Sequence, residues 1–239
     1  MSPLTERLSN LRHRIAHAAR AAGRAPAELH LIAVSKAFGA DAVRQAAAAG
    51  QTEFGENYVQ EALAKIEALR ELPLDWHFIG PIQSNKTADI AAHFSWVHGI
   101  EREKIARRLS EQRPANLPAL NVCVQVNISG EASKSGVKPE ETLALCRAVA
   151  VLPRLKLRGL MAIPAPGASD SRAPYKALRG LFETLRRSGL ELDTLSAGMS
   201  DDFETAILEG ATHLRIGTAI FGARGAKDRG DRESEVRER

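Results

Sequence analysis

Aromatic residues make up only 5% of this 239-residue chain, cysteine occurs twice, and no apolar run approaches the length of a membrane-crossing helix. Two cysteines exclude a disulfide-stapled scaffold. Cys123 and Cys146 sit in apolar stretches at a spacing that matches neither zinc nor redox patterns, so they read as buried thiols in a reducing compartment. The N-terminus, residues 1–10, has no apolar signal core, and a cytoplasmic setting with no membrane partner is expected. Charge of one sign is scarce as well: 33 Lys plus Arg stand against 29 Asp plus Glu. With no long basic run and no interleaving of basic and aromatic residues, a nucleic-acid partner is not expected. What remains is 44% hydrophobic and 26% charged, enough for one large α/β domain and unlike a disordered or collagenous chain.

Leu4, Leu8, Leu11 and Ile15 recur at helical spacing and predict an amphipathic first helix. Short apolar runs then alternate with helical patterns. Strands are predicted at 30–36, 52–55, 76–80, 96–99, 121–128, 157–162, 194–197 and His213–Ile216, each followed by a helical segment. Among these helices, one runs over 86–93, one opens at Pro139 with Leu143, Cys146 and Val149 inward, and the last lies around Thr218–Phe221. Asp201 and Glu204 are expected to form a capping box on the helix over 203–207. Trp76 and Trp96 read as core. Eight βα units are what closes a (β/α)8 barrel of the TIM type, here with an extra N-terminal helix; a doubly wound open sheet is the alternative. The barrel is assigned to residues 1–224. From residue 223 the chain mixes six basic and five acidic residues without an apolar face, so 225–239 is expected to be a solvated, disordered tail.

In a barrel, chemistry belongs to the C-terminal ends of the strands. Lys36 ends the first strand, where desolvation disfavours its ammonium and an uncharged amine suits Schiff-base formation with an aldehyde. A snorkelling or salt-bridged lysine is an equal reading of position alone. Gly198-Met199-Ser200 and Gly217-Thr218, after strands seven and eight, suit a phosphate, although Asp201 and Asp202 oppose one. Arg215, inside the last strand, needs an acceptor, whether a ligand or a structural partner. Other templates fail. Lys134 lies in a glycine- and serine-rich stretch that lacks the order of a phosphate loop and reads as a turn residue. His13 and His17 are spaced i, i+4 but lie off the apolar stripe, with Arg14 where a metalloprotease needs glutamate, so no metal is expected.

Several blocks carry a resemblance: Ala33-Val34-Ser35-Lys36, Phe54-Gly55-Glu56-Asn57-Tyr58 and Trp76-His77-Phe78-Ile79-Gly80-Pro81-Ile82-Gln83-Ser84-Asn85-Lys86. Ser133-Lys134-Ser135-Gly136, Arg158-Gly159-Leu160-Met161-Ala162, Gly198-Met199-Ser200-Asp201-Asp202 and Arg215-Ile216-Gly217-Thr218 continue it in order, to about Arg224. Together they resemble the pyridoxal phosphate homeostasis proteins, related to the N-terminal barrel of alanine racemase. The resemblance implies pyridoxal 5′-phosphate (PLP) as cofactor, held as a covalent aldimine on Lys36. Ser200, Gly217 and Thr218 then take the phosphate positions, Arg215 faces the pyridine nitrogen, Asn57 lies near the cofactor and Met161 lies under the barrel mouth. Ala37-Phe38-Gly39 departs from the Pro-containing turn common after the lysine.

An arginine opposite the pyridine nitrogen cannot accept its proton, which weakens the ring as an electron sink. Racemisation needs a base on each face, and in alanine racemase the second is a tyrosine from a partner subunit, alongside a C-terminal β domain. No such domain is expected after the barrel here. Tyr58, packed at the start of a helix, and Tyr175, away from the mouth, are the only tyrosines. The expectation is a monomeric PLP carrier without robust catalysis, holding PLP reversibly for vitamin B6 homeostasis and passing it to apo-enzymes. A PLP-dependent amino-acid racemase, or another PLP enzyme, is the alternative.

Overall fold

The computed structural model describes residues 2–131, 134–164 and 170–222. The 225–239 tail and part of the loop after the sixth strand lie outside them. Among the described residues, eight parallel strands close into a barrel in sequence order: β1 (His30–Val34), β2 (Glu53–Glu56), β3 (Asp75–Phe78), β4 (Trp96–Ile100), β5 (Leu120–Gln125), β6 (Leu155–Met161), β7 (Thr194–Ser196) and β8 (His213–Ile216). β8 returns to β1, with His30 opposite His213 and Ile32 opposite Arg215. The crossovers are α2 (Ala40–Ala48), α3 (Val59–Ala68), α4 (Thr87–His93), α5 (Glu103–Gln112), α6 (Thr142–Ala150), α7 (Ala173–Arg187) and α8 (Phe203–Leu208).

The extra helix, α1 (Pro3–Ala21), starts at a Ser2 cap that accepts the Thr5 N–H at 3.3 Å, with Pro3 in the first turn. It buries Leu4, Leu8, Leu11, Ile15 and Ala19 against α2, α8 and the four-residue α9 (Thr218–Phe221). Fully buried leucines such as Leu8 contribute about 1.5–3 kcal/mol each. Arg7 donates to the Ile220 carbonyl at 2.7 Å and Arg12 to that of Ala49 at 2.8 Å. α1 therefore covers the flank that the short α9 leaves open.

Several boundaries differ from those the pattern predicts. β5 ends at Gln125, not 128, because Val137 returns to bond it: its N–H donates to the Gln125 carbonyl and its carbonyl accepts from Asn127, both at 2.9 Å. β6 begins two residues earlier, at Leu155. Short 3-10 turns, Ser84–Lys86 and Pro139–Glu141, precede α4 and α6. On α6 the buried residues include Leu145, Cys146 and Val149, while Leu143 is only partly covered. No capping box forms at Asp201. Asp202 is the cap position of α8, its carboxylate accepting the Met199 N–H at 2.6 Å, and Glu204 pairs instead with Arg14 of α1.

The N-terminal floor of the barrel is polar and aromatic. His30 stacks on His213 at 4.4 Å and His77 on Trp96 at 5.5 Å. Trp96 is therefore a half-buried floor residue and not the core side chain its apolarity suggests. Arg158 lies over its ring at 4.7 Å and grips Asp193 through two nitrogens, at 2.9 and 2.7 Å. Beside Arg158, Gly159 brings β6 against β7: an added Cβ would stand 1.8 Å from the Thr194 carbonyl oxygen. Gly159→Ala is expected to force those strands apart and lower stability by about 3 kcal/mol, read as a fall in the urea midpoint at unchanged slope.

Candidate functional site

Parallel pairing keeps partnered residues on one side of the sheet, so the register assigns the interior. Arg215 pairs with Ile32, placing Val34 and Lys36 in the same inward phase along β1 and its continuation. Val34 pairs with Gly55, which brings Asn57 into phase; Met161 pairs with Ser196, and Ser196 with His213 and hence Arg215. Lys36, Asn57, Met161, Arg215 and Gly217 thus share the inward phase, the first two and the last at the C-terminal mouth. Ser200 lies on the loop after β7, and Thr218 opens α9 just after β8.

The Lys36 turn is braced on both sides. Ser35 continues the ladder through its N–H to the Gly55 carbonyl at 3.0 Å. Ala37 takes a left-handed φ of 69°, disfavoured for a residue with a Cβ, and its N–H donates to Glu61 Oε1 at 2.6 Å. Beneath lies Lys65, buried, whose Nζ donates to the Ser35 carbonyl, Glu56 Oε1 and Glu61 Oε1, all at 2.7 Å. The Ser35 hydroxyl donates to Glu56 Oε1 at 2.6 Å. Burial pushes the Glu56 carboxyl above its ordinary value, against the pull of Lys65 and Ser35. The carbonyl before Lys36 and the amide after it are therefore tied to one buried ionic cluster. Lys36 itself is half-buried.

Arg215 is buried, and burial lowers its pKa to about 10. Its guanidinium donates to Ser196 Oγ at 2.7 Å and the Ala162 carbonyl at 2.9 Å, both neutral acceptors. Met161, immediately before Ala162, is buried. Ser200 Oγ accepts the Ala219 N–H at 3.4 Å and so joins the β7 and β8 loops. An added Cβ at Gly217 would lie 3.0 Å from the Val34 carbonyl oxygen, so this backbone runs hard against the end of β1. Thr218 is exposed. Asn57 Oδ1 is buried without a hydrogen-bond partner.

The tyrosines depart from expectation. Tyr58 takes the cap position at the head of α3 and is 51% exposed. Tyr175 is buried on α7, with Asp202 and Arg215 within electrostatic reach, so it belongs to the surroundings of the β7 loop; burial and Asp202 push its phenol well above the usual value. Cys123 and Cys146 are buried and unpaired, their thiols pushed up by burial, that of Cys146 to about 12. His13 and His17 are exposed on α1. Sequence reasoning missed Lys65, Glu61, Ser196 and His98. Lys65 was detectable: it continues the i, i+3 series Val59, Ala62, and Glu61 precedes it by four.

The family model of the alanine racemase N-terminal domain matches residues 7–225. The pyridoxal phosphate homeostasis protein of Pseudomonas aeruginosa is 62% identical over 224 residues, 94% of this chain and 97% of that one. Its namesake from Escherichia coli K12 is 52% identical over 230 residues, 94% and 98% of the two chains. PipY of Synechococcus elongatus, solved with PLP bound, superposes with a TM-score of 0.80 at 36% identity, over 92% of this chain and 100% of that one. Alanine racemase from Corynebacterium glutamicum gives 0.67 at 22% identity, over 90% of this chain and 61% of its own, a likeness of fold alone.

Proposed function

The chain belongs to the alanine racemase N-terminal domain family and, within it, to the pyridoxal phosphate homeostasis proteins; from that premise we propose that it binds PLP reversibly at the barrel mouth and serves as a carrier in PLP homeostasis. The observation that carries this reading is the shared inward phase of Lys36, at the mouth, and Arg215, below it on the adjacent strand: an amine above a donor-only cation. PLP supplies an aldehyde that an amine captures reversibly, and a pyridine ring that draws off electrons when its nitrogen is protonated. Lys36 Nζ is the capturing amine. Ser200, Gly217 and Thr218 would hold the phosphate, Asn57 Oδ1 would accept from the ring hydroxyl, and Met161 would line the pocket. Arg215 donates towards the pyridine nitrogen and has no site for its proton, which favours holding the cofactor over reacting through it. Tyr175 is a poor second base, because its raised pKa keeps the phenol protonated. The chain acts as a monomer that hands PLP to apo-enzymes. A cytoplasmic setting fits its two buried, unpaired thiols.

Purified protein mixed with PLP is expected to retain an absorption band at about 420 nm through desalting, and Lys36→Ala to lose it. A wild-type protein without the band overturns the cofactor assignment. Saturating turnover of a D- or L-amino acid, abolished in Lys36→Ala, overturns the carrier reading. Delivery is read as activity regained by an apo-enzyme mixed with the loaded protein.

A further inference from the structure

A line of buried polar side chains runs down the barrel axis from Arg215 to the floor. Arg215 donates to Ser196 Oγ at 2.7 Å; Ser196 Oγ meets His98 Nδ1 at 2.8 Å; His98 Nε2 meets His77 Nδ1 at 3.0 Å. Below, His77 Nε2 stands 3.9 Å from Glu53 Oε2, and Glu53 Oε1 bonds His30 Nδ1 at 2.8 Å. Ser196, His98 and His77 are at most 1% exposed. Neither His77 Nε2 nor Glu53 Oε2 has a hydrogen-bond partner, so each faces the other.

Donor and acceptor rules give this line a direction. Arginine only donates, so Ser196 Oγ accepts from it and its own hydrogen is left for His98 Nδ1. His98 is then the Nε2–H tautomer and donates to His77 Nδ1, which makes His77 an Nε2–H tautomer too. The last N–H points at the Glu53 carboxylate. The reverse order leaves the Ser196 hydrogen without an acceptor in the line and turns a ring lone pair on His77 towards that carboxylate. The end charges favour the same direction: lone pairs face the Arg215 cation and hydrogens the Glu53 anion.

We propose that Ser196, His98 and His77 form one hydrogen-bonded rod of fixed polarity that positions the Arg215 guanidinium at the barrel mouth. All three are positioning residues. The rod offers Arg215 a neutral acceptor that is itself locked, so the guanidinium keeps its orientation without an ion pair to a carboxylate among the described residues; Asp202 acts on it only through space.

The decisive measurement is nitrogen-15 NMR of the histidine rings in the full chain without PLP. His98 and His77 are each expected to show a protonated Nε2 and a pyridine-type Nδ1. A protonated Nδ1 on His98 overturns the proposal, and this reading of the wild type requires no variant to fold. Ser196→Ala is expected to collapse the Nδ1/Nε2 shift difference on His98 and broaden the Arg215 side-chain signals, with Ser196→Thr restoring both. Unchanged His98 and Arg215 signals in Ser196→Ala also overturn it. A second readout rests on the function proposed above: Ser196→Ala is expected to retain PLP about tenfold more weakly, with Ser196→Thr close to wild type. If PLP fails to bind at all, the function falls while the tautomer measurement still decides the rod.

Discussion

Shifting the pH from about 7 to about 5.5 is expected to remove on the order of 4 kcal/mol of folding stability before the offsets below, shared among three buried histidines whose folded pKa lies below their ordinary value of 6.5. Burial, with Coulombic repulsion from neighbouring cationic forms, drives His77 and His98 well below 6.5 and His213 to about 3. These rings stay neutral in the folded chain while the same residues take up protons once unfolded. The unfolded state then binds more protons, so stability falls as pH drops through 6.5 and continues to fall towards about 3. Two groups offset part of the loss. The bond to Glu53 raises the pKa of His30, whose contribution is full below 6.5 and lost as pH rises through its raised value. Glu56, raised by burial, is relieved as it takes up a proton on the way down to 4.5. Even reduced by these offsets, a loss of a few kcal/mol is a large part of the roughly 5–15 kcal/mol typical of a domain. Urea midpoints at the two pH values measure it, and His213→Gln is expected to remove about a third of the slope. Stability flat across this interval would mean that the three rings are charged in the folded barrel.

Lys65→Met is expected to destabilise the fold by about 3–5 kcal/mol, because it strands a buried carboxylate. Lys65 spends all three ammonium hydrogens on Ser35, Glu56 and Glu61. Without it, Glu56 keeps only the Ser35 hydroxyl, and its Oε2 already has no partner. The double variant Lys65→Met/Glu56→Leu, which removes both charges, is expected to recover more than half of the loss, since burying neither ion is cheaper than burying one alone. Both variants also loosen the carbonyl before Lys36. PLP retention is therefore expected to stay weakened in the double variant while stability returns, a split that equilibrium unfolding and the 420 nm band would separate. A double variant no more stable than Lys65→Met would refute the ion-pair account.

The floor shows why part of this was hidden in the sequence. His77, His98 and His213 sit at alternating strand positions, where each reads as an ordinary polar residue of a half-exposed strand. That they meet across the axis depends on the register of non-neighbouring strands, which no local pattern contains. The Lys65 cluster was hidden for another reason. Hydrophobic periodicity treats lysine as solvent-facing, whereas Val59, Ala62 and Lys65 are the buried positions of α3. Tyr175 and Trp96 were misjudged because aromatic character predicts burial but not which layer of the barrel provides it.

By itself, the sequence determined the alternation of eight strands with helices, the amphipathic first helix, and the residues offered at the strand ends, from Lys36 to Thr218. Those follow from local periodicity and from motifs contiguous along the chain. Only the tertiary structure decided that the sheet closes β8 onto β1 and brings Lys36 and Arg215 onto adjacent strands. It also decided that Lys65, Ser196, His98 and His77 stand behind them. The physical reason is that a buried polar group is tolerated only where distant partners satisfy it, and those partners lie as far apart in sequence as His98 and Ser196, 98 residues.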